Sequence, residues 1–156
     1  MKRRFGYNDT NNKYGGHKTV YKGIEFDSWK ERDYYIMLLH LQKIGRISGL
    51  RVHSPFILIP QTVKTVPRQL KTKVRYDRVV VEQDAGYHND FSFFDREKDV
   101  YVCCEYKSEA TSKLPDYVLR RKLMIRKIYE HNAKGRSQWV FREVIYYKDK
   151  TTTEDK

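Results

Sequence analysis

Asp90, Glu105 and Lys107 are the residues of this chain whose types and spacing suit metal-assisted chemistry. Hard divalent cations such as Mg2+ take oxygen ligands, and two carboxylates with a backbone carbonyl make such a set. Over residues 100–107 the side chains of an extended strand alternate faces. That puts Cys103, Glu105 and Lys107 on one side and Val102, Cys104 and Tyr106 on the other. Residues 87–94 read as the preceding strand, and the short connection over 95–99 makes the two antiparallel partners. Counted from Glu97, Asp90 lies seven residues before the turn and Glu105 eight after it, close to cross-strand register. Asp90, Glu105 and the carbonyl of Tyr106 would then face one cation, and the Lys107 ammonium beside it could orient or polarise a water for attack on phosphorus. By spacing alone the same side chains also describe a solvated cross-strand ion-pair face worth little energy.

Two helical positions add to the set. Glu31 lies four residues before Tyr35 and seven and eight before Leu38 and Leu39, on an apolar helix face where a lone carboxylate is costly. Its other reading is the capping-box partner of Ser28. Lys122 shares a face with Val118, Ile125 and Tyr129 and reads either as a phosphate contact or as a lysine snorkelling from the core edge.

The elements that must position these groups follow from periodicity and punctuation. Residues 20–26 read as a short hairpin or edge strand turning at Lys22 and Gly23, and a helix runs from Ser28 to about Lys43, stopped by Gly45. A strand over 50–59, a basic loop over 60–72 broken by Pro67, and strands over 74–82, 87–94 and 100–107 come next. A helix over 115–132 opens on Pro115 and closes before Gly135, and 138–148 is a last strand. The expected class is α/β in the α+β sense, a mixed central sheet flanked by helices in the order αβββαβ. Residues 1–18 are expected to be a flexible basic arm, 19–148 the one domain, and 149–156 a polar tail.

Charge narrows the function. The 156 residues carry 32 Lys and Arg against 20 Asp and Glu, a net +12, which attracts polyanions. The excess is not uniform. Residues 60–78 hold six basic residues to one acidic and residues 113–136 eight to two, whereas residues 79–112 hold three to eight. A protein that only coats phosphates gains nothing from such an acidic island, because each carboxylate repels the ligand; one that holds a divalent cation against phosphate does. Lys64, Arg68, Lys71 and Lys73 of the loop, and Arg120, Lys122, Arg126 and Lys127 of the second helix, are the expected nucleic-acid contacts. No apolar run is long enough to cross a bilayer, so no membrane partner is expected. The adjacent Cys103 and Cys104 fit neither a disulfide framework nor zinc spacing, which reads as a reducing, intracellular setting.

Seven stretches taken in order, FDSWKE at 26–31, GRISGL at 45–50, HSPFIL at 53–58, YHNDF at 87–91, EYK at 105–107, RKL at 121–123 and FREV at 141–144, resemble small phage-encoded proteins of the PD-(D/E)XK nuclease superfamily. The resemblance runs over about residues 13–147. It implies a restriction-endonuclease-like core in which Asp90, Glu105 and Lys107 are the superfamily signature and Glu31 is the first helix's carboxylate, completing the metal shell or polarising water. It also implies Mg2+ as cofactor, with Mn2+ able to substitute, and cleavage leaving 5'-phosphate and 3'-hydroxyl ends. The helical glutamate is shared with endonuclease I-type Holliday-junction resolvases, which points to branched DNA as partner, a homodimer with two sites, and the cytoplasm of a phage-infected bacterium. Asn89 stands where the signature has its proline. A non-catalytic DNA- or RNA-binding accessory protein on the same fold is the rival expectation.

Overall fold

The computed structural model describes residues 18–135 and 137–156, so the expected arm lies, but for Lys18, outside the described residues. The first elements are a hairpin of β1 (Thr19–Tyr21) and β2 (Ile24–Phe26), and helix α1 (Trp29–Lys43). Lys22 and Gly23 both have positive φ, as the tight hairpin turn between β1 and β2 requires. Gly45, at φ 78°, ends α1 by letting its N–H and that of Arg46 reach back to the carbonyls of Gln42 and Leu41.

The centre is a mixed sheet of five strands: β3 (Ile47–Val52), β8 (Phe91–Asp95), β9 (Val100–Ser108), β10 (Trp139–Tyr146) and β11 (Thr151–Asp155). Their spatial order is β11-β10-β9-β8-β3, with β9 and β10 parallel and the other neighbours antiparallel. The parallel pair needs a crossover, supplied by the short α2 (Glu109–Ser112) and by α3 (Pro115–Asn132). The chain is thus a mixed α+β fold, and α3 has the bounds its proline and glycine predict.

Strand alternation in β9 divides the core. Val102 and Cys104 pack with Phe26, Tyr35, Leu38, Phe91 and Val144 on the α1 side; Cys103 packs with Met124, Ile128 and Phe141 on the α3 side. The two thiols are buried, free and back to back across the sheet.

Five expectations are corrected. The strand over 50–59 is two, β3 and β4 (Pro55–Ile59), and that over 87–94 is also two, β7 (Ala85–His88) and β8. Both break at one level, for reasons that belong to the site. The basic loop is instead β5 (Thr62–Gln69), which pairs with β6 (Val74–Glu82) in a separate two-stranded ribbon. Pro67 fits there because a ribbon strand has one outer edge that asks for no N–H. The polar tail forms β11, held by backbone pairing to β10 and by Arg142 on the Asp155 carboxylate at 2.6 Å. Finally, the buried face of α3 is Tyr117, Met124 and Ile128, so Lys122 is exposed rather than at the core edge.

Candidate active site

Asp90 owes its position to the double break. β3 pairs with β8 and β4 with β7, and between them residues 53–54 and 89–90 leave the ladder together. His53 adopts φ 52° there and donates its N–H to the Asp90 carbonyl at 3.2 Å, while Asn89 and Ser54 bond each other. Phe91 opposes Cys104, so a continued ladder would set Asp90 opposite Glu105. The Asp90 carboxylate instead accepts the Tyr106 N–H at 2.7 Å, a side chain standing in for the backbone acceptor. The polar gap in the strand is the price of aiming a carboxylate at β9.

Glu105 and Lys107 come from β9 itself. The Lys107 ammonium lies 2.9 Å from Asp90 Oδ2 and 2.6 Å from Glu105 Oε2, so one nitrogen bridges the two carboxylates. Glu105 is 2% exposed, and its second oxygen accepts the Tyr87 hydroxyl from β7. Glu31 enters from the first turn of α1. Ser28 Oγ accepts the Glu31 N–H at 3.1 Å, and Glu31 Oε2 accepts the Asp27 N–H at 3.0 Å. One oxygen thus serves the helix start in a modified capping box, and the other faces His53 Nε2 at 3.7 Å. Glu31 is therefore both the capping partner of Ser28 and a buried carboxylate at the cavity wall.

The electrostatics show a surplus of acid. Burial, and then Asp90, push the Glu31 carboxyl up to about 8. Burial and Asp90 push Glu105 up to about 7, against the pull of Lys107. Burial alone would lower the Lys107 ammonium, but Asp90 and Glu105 hold it well above its ordinary value. Two carboxylates therefore share one ammonium, with Glu31 near enough to feel the charges of both Asp90 and Lys107, an arrangement that a divalent cation relieves.

Among the described residues no group of three His, Cys, Asp or Glu is gathered closely enough to hold a metal as it stands. The donor set nevertheless fits Mg2+, which binds through one or two carboxylates and keeps several waters. Asp90 and Glu105 already face one cation, their own lysine.

A cavity of about 540 Å³ opens over these groups, lined by Glu31, Asp90, Lys107, Tyr117, Arg120 and Lys18 among others. Glu31, Asp90, Glu105 and Lys107 are thus brought together as expected. Of the eight expected basic contacts Arg120 alone lines the cavity; Lys64, Arg68, Lys71 and Lys73 belong to the ribbon region, and Lys122, Arg126 and Lys127 lie elsewhere on α3.

Sequence reasoning missed three participants. Tyr87 carries no signal beyond its place in the YHNDF stretch. Tyr117 lies under Lys107, 5.8 Å from nitrogen to ring centre, and donates its hydroxyl to the buried Glu143 at 2.7 Å. Glu143 also takes Arg121 at 2.7 Å and Lys156. The RKL and FREV stretches are therefore joined by the Arg121–Glu143 ion pair beside the site.

The model of the DUF1064 family, described as a protein of unknown function, matches residues 11–149. The chain belongs to the DUF1064 family. That match takes in every element of the site, from Glu31 on α1 to Glu143 on β10. No curated protein and no solved structure matches the chain. No helix among the described residues of this DUF1064 protein is long and apolar enough to cross a membrane.

Proposed function

We propose that this protein is a Mg2+-dependent endodeoxyribonuclease acting on branched or structured DNA. The observation that carries the reading is the surplus of buried carboxylate around Lys107: Asp90 and Glu105 on one ammonium, with Glu31 close enough to be pushed up by Asp90. Resemblance to the PD-(D/E)XK superfamily supplies the reaction class and the basic surface supplies the polyanion.

Bound Mg2+, or Mn2+ in its place, would supply Lewis acidity toward the scissile phosphate and a water of lowered pKa. The chain's own residues do the rest. Asp90, Glu105 and the Tyr106 carbonyl would hold the ion, and Tyr87 fixes one oxygen of Glu105. Lys107, released from bridging two carboxylates, would hold a water in line with phosphorus and steady the developing negative charge. Glu31, which burial and Asp90 favour in its protonated form without metal, would lose that proton as the ion binds and would complete the metal shell or polarise the water. Arg120, at the cavity wall, and the cations of α3 and the ribbon would neutralise phosphates on either side.

On this reading the protein works inside a phage-infected bacterial cell, and a homodimer would give a four-way junction two sites related by symmetry. The test is incubation of purified protein with a four-way junction, a flap, a linear duplex and a single strand, in Mg2+ and in EDTA. Metal-dependent cleavage that favours the branched substrates is the expected result. Binding without cleavage in any metal would replace the nuclease with an accessory DNA- or RNA-binding protein.

A further inference from the structure

The β5–β6 ribbon is built as if for a partner. Among the described residues it makes no extensive contact with any other element, and nearly every residue of both strands is exposed. A two-stranded hairpin on its own is marginal in water, so the ribbon gains stability from whatever it meets. Directly paired residues share a face, which makes one face Lys64, Val66, Arg68, Arg75, Asp77 and Val79. Arg68 and Arg75 lie there with Asp77 at 3.9 and 2.6 Å, one acid between two guanidinium groups. The other face is Val63, Thr65, Pro67, Tyr76, Arg78 and Val80, with Tyr76 68% exposed and no acid to neutralise Arg78. Lys71 and Lys73 sit at the tip.

We infer that the ribbon enters a groove of double-stranded DNA, its cations against the phosphates of both strands. Residues 62–82 carry six Lys and Arg against two Asp and Glu, which is the complement of a polyanion. The nine residues of β6 extend for about 30 Å, close to one turn of duplex, and the major groove admits a two-stranded ribbon. A second copy of this chain fits less well. Two-fold packing of the apolar faces would bury Arg78 with no acid on that face to pair it, and packing of the basic faces would oppose like charges. The inference takes DNA as the substrate from the reading above and adds that the duplex flanking the cleavage point is what the ribbon holds.

The experiment separates it from the active-site reading. Ile59 lies opposite Ala85 in the β4–β7 ladder, so residues 60–84 can be replaced by an Asn-Gly turn that closes that hairpin. A second variant, Lys64→Gln with Arg68→Gln and Arg75→Gln, keeps the ribbon and removes three of its six cations. Binding is read by fluorescence anisotropy in EDTA, with a short blunt duplex and a single strand of equal length, over a salt series. Both variants should bind duplex at least about tenfold more weakly, and the triple variant should flatten the log-log salt slope by up to about three units, while single-strand binding changes little. Unchanged duplex affinity and slope in both variants would overturn the inference. So would an oligomer that dissociates when the ribbon is removed, since that assigns the surface to a second copy. A wild type that cleaves nothing in Mg2+ yet loses duplex binding with the ribbon would remove the nuclease and keep the ribbon.

Discussion

Glu105 and Glu143 make a natural experiment within one sheet. They stand opposite each other on the parallel strands β9 and β10, both 2% exposed, each accepting a tyrosine hydroxyl, from Tyr87 and Tyr117 respectively. Their protons nevertheless behave in opposite ways. Burial would raise both, and with Asp90 it does raise Glu105; Lys156, Tyr117 and Arg121 reverse it at Glu143 and hold that carboxyl below its ordinary value. The difference lies in the neighbours' charge: two cations serve the one acid at Glu143, and one cation serves several at Glu105. A buried glutamate is therefore neither structural nor functional by type. The balance of charge around it separates a closed ion-pair network from a site that still attracts a cation.

The largest expected effect is a crossover between these two residues. Glu105→Gln keeps shape and removes a proposed metal ligand, so cleavage in Mg2+ should fall at least about a hundredfold while unfolding stability changes by less than about 1 kcal/mol. Glu143→Gln leaves Arg121 and Lys156 without their acid. With those side chains 22% and 23% exposed, the cost should be about 2 kcal/mol in urea unfolding, with cleavage within a few-fold of wild type. Equal losses of activity in the two variants would erase the distinction.

The pH dependence sharpens it next. Glu31 and Glu105 have folded-state values of about 8 and about 7, above the ordinary 4.5 of an unfolded glutamate. Raised values favour the protonated folded form, so without metal their contribution to stability is complete below about pH 4.5 and is lost as pH rises through about 7 and 8. A divalent cation reverses the trend, because the ligands must be deprotonated to bind it. Millimolar Mg2+ should therefore raise the melting temperature more at about pH 8 than at about pH 6, by roughly 3 °C or more. Glu31→Gln should flatten the metal-free profile. A metal effect that is the same at both pH values would contradict the charge-surplus argument.

A smaller effect is expected at Tyr87. Tyr87→Phe keeps the packing on Phe56 but frees one oxygen of Glu105. Mg2+ affinity, read by calorimetry, should fall about tenfold, the scale of a lost ligand-orienting hydrogen bond. An unchanged affinity would reduce Tyr87 to a core residue.

These comparisons also show which parts of the molecule were legible in the residues alone. Glu105 and Lys107 followed from the two-residue period of one strand, and Asp90 from the count across a hairpin, because both are short-range geometry. The strand break at Asn89 and Asp90 was not visible, since it depends on a side chain replacing a backbone acceptor in another strand. Helix α3 was legible at both ends from Pro115 and Gly135, but its buried face was not. Arg121 sits on the Tyr117, Met124 and Ile128 side because Glu143 compensates it, so polarity misled the facial reading and Lys122 took its place. β11 carries no apolar signal, because an edge strand can be held by backbone pairing and needs no apolar residues. The network around Glu143 could not be read at all: its partners lie 22, 26 and 13 residues away with no period linking them.

The smallest effect tests whether burial, rather than ion pairing as such, sets the comparison. Arg126 bonds Glu130 one turn along α3 at 2.9 Å, with side chains 78% and 59% exposed. Water screens such a pair, and holding two long side chains in one geometry costs entropy, so Arg126→Ala should change unfolding stability by less than about 0.5 kcal/mol. Its effect should appear elsewhere. If the exposed guanidinium reaches a phosphate, removing it lowers DNA affinity and takes about 0.9 off the log-log salt slope, with metal-dependent cleavage otherwise intact. Arg126 would then be the reverse of Arg121 on the same helix: one residue held inward by a buried acid and felt in stability, the other left in water and felt only in binding. A stability loss at Arg126 as large as that at Glu143 would show that pairing itself, and not the removal of charge from water, separates the two kinds of site.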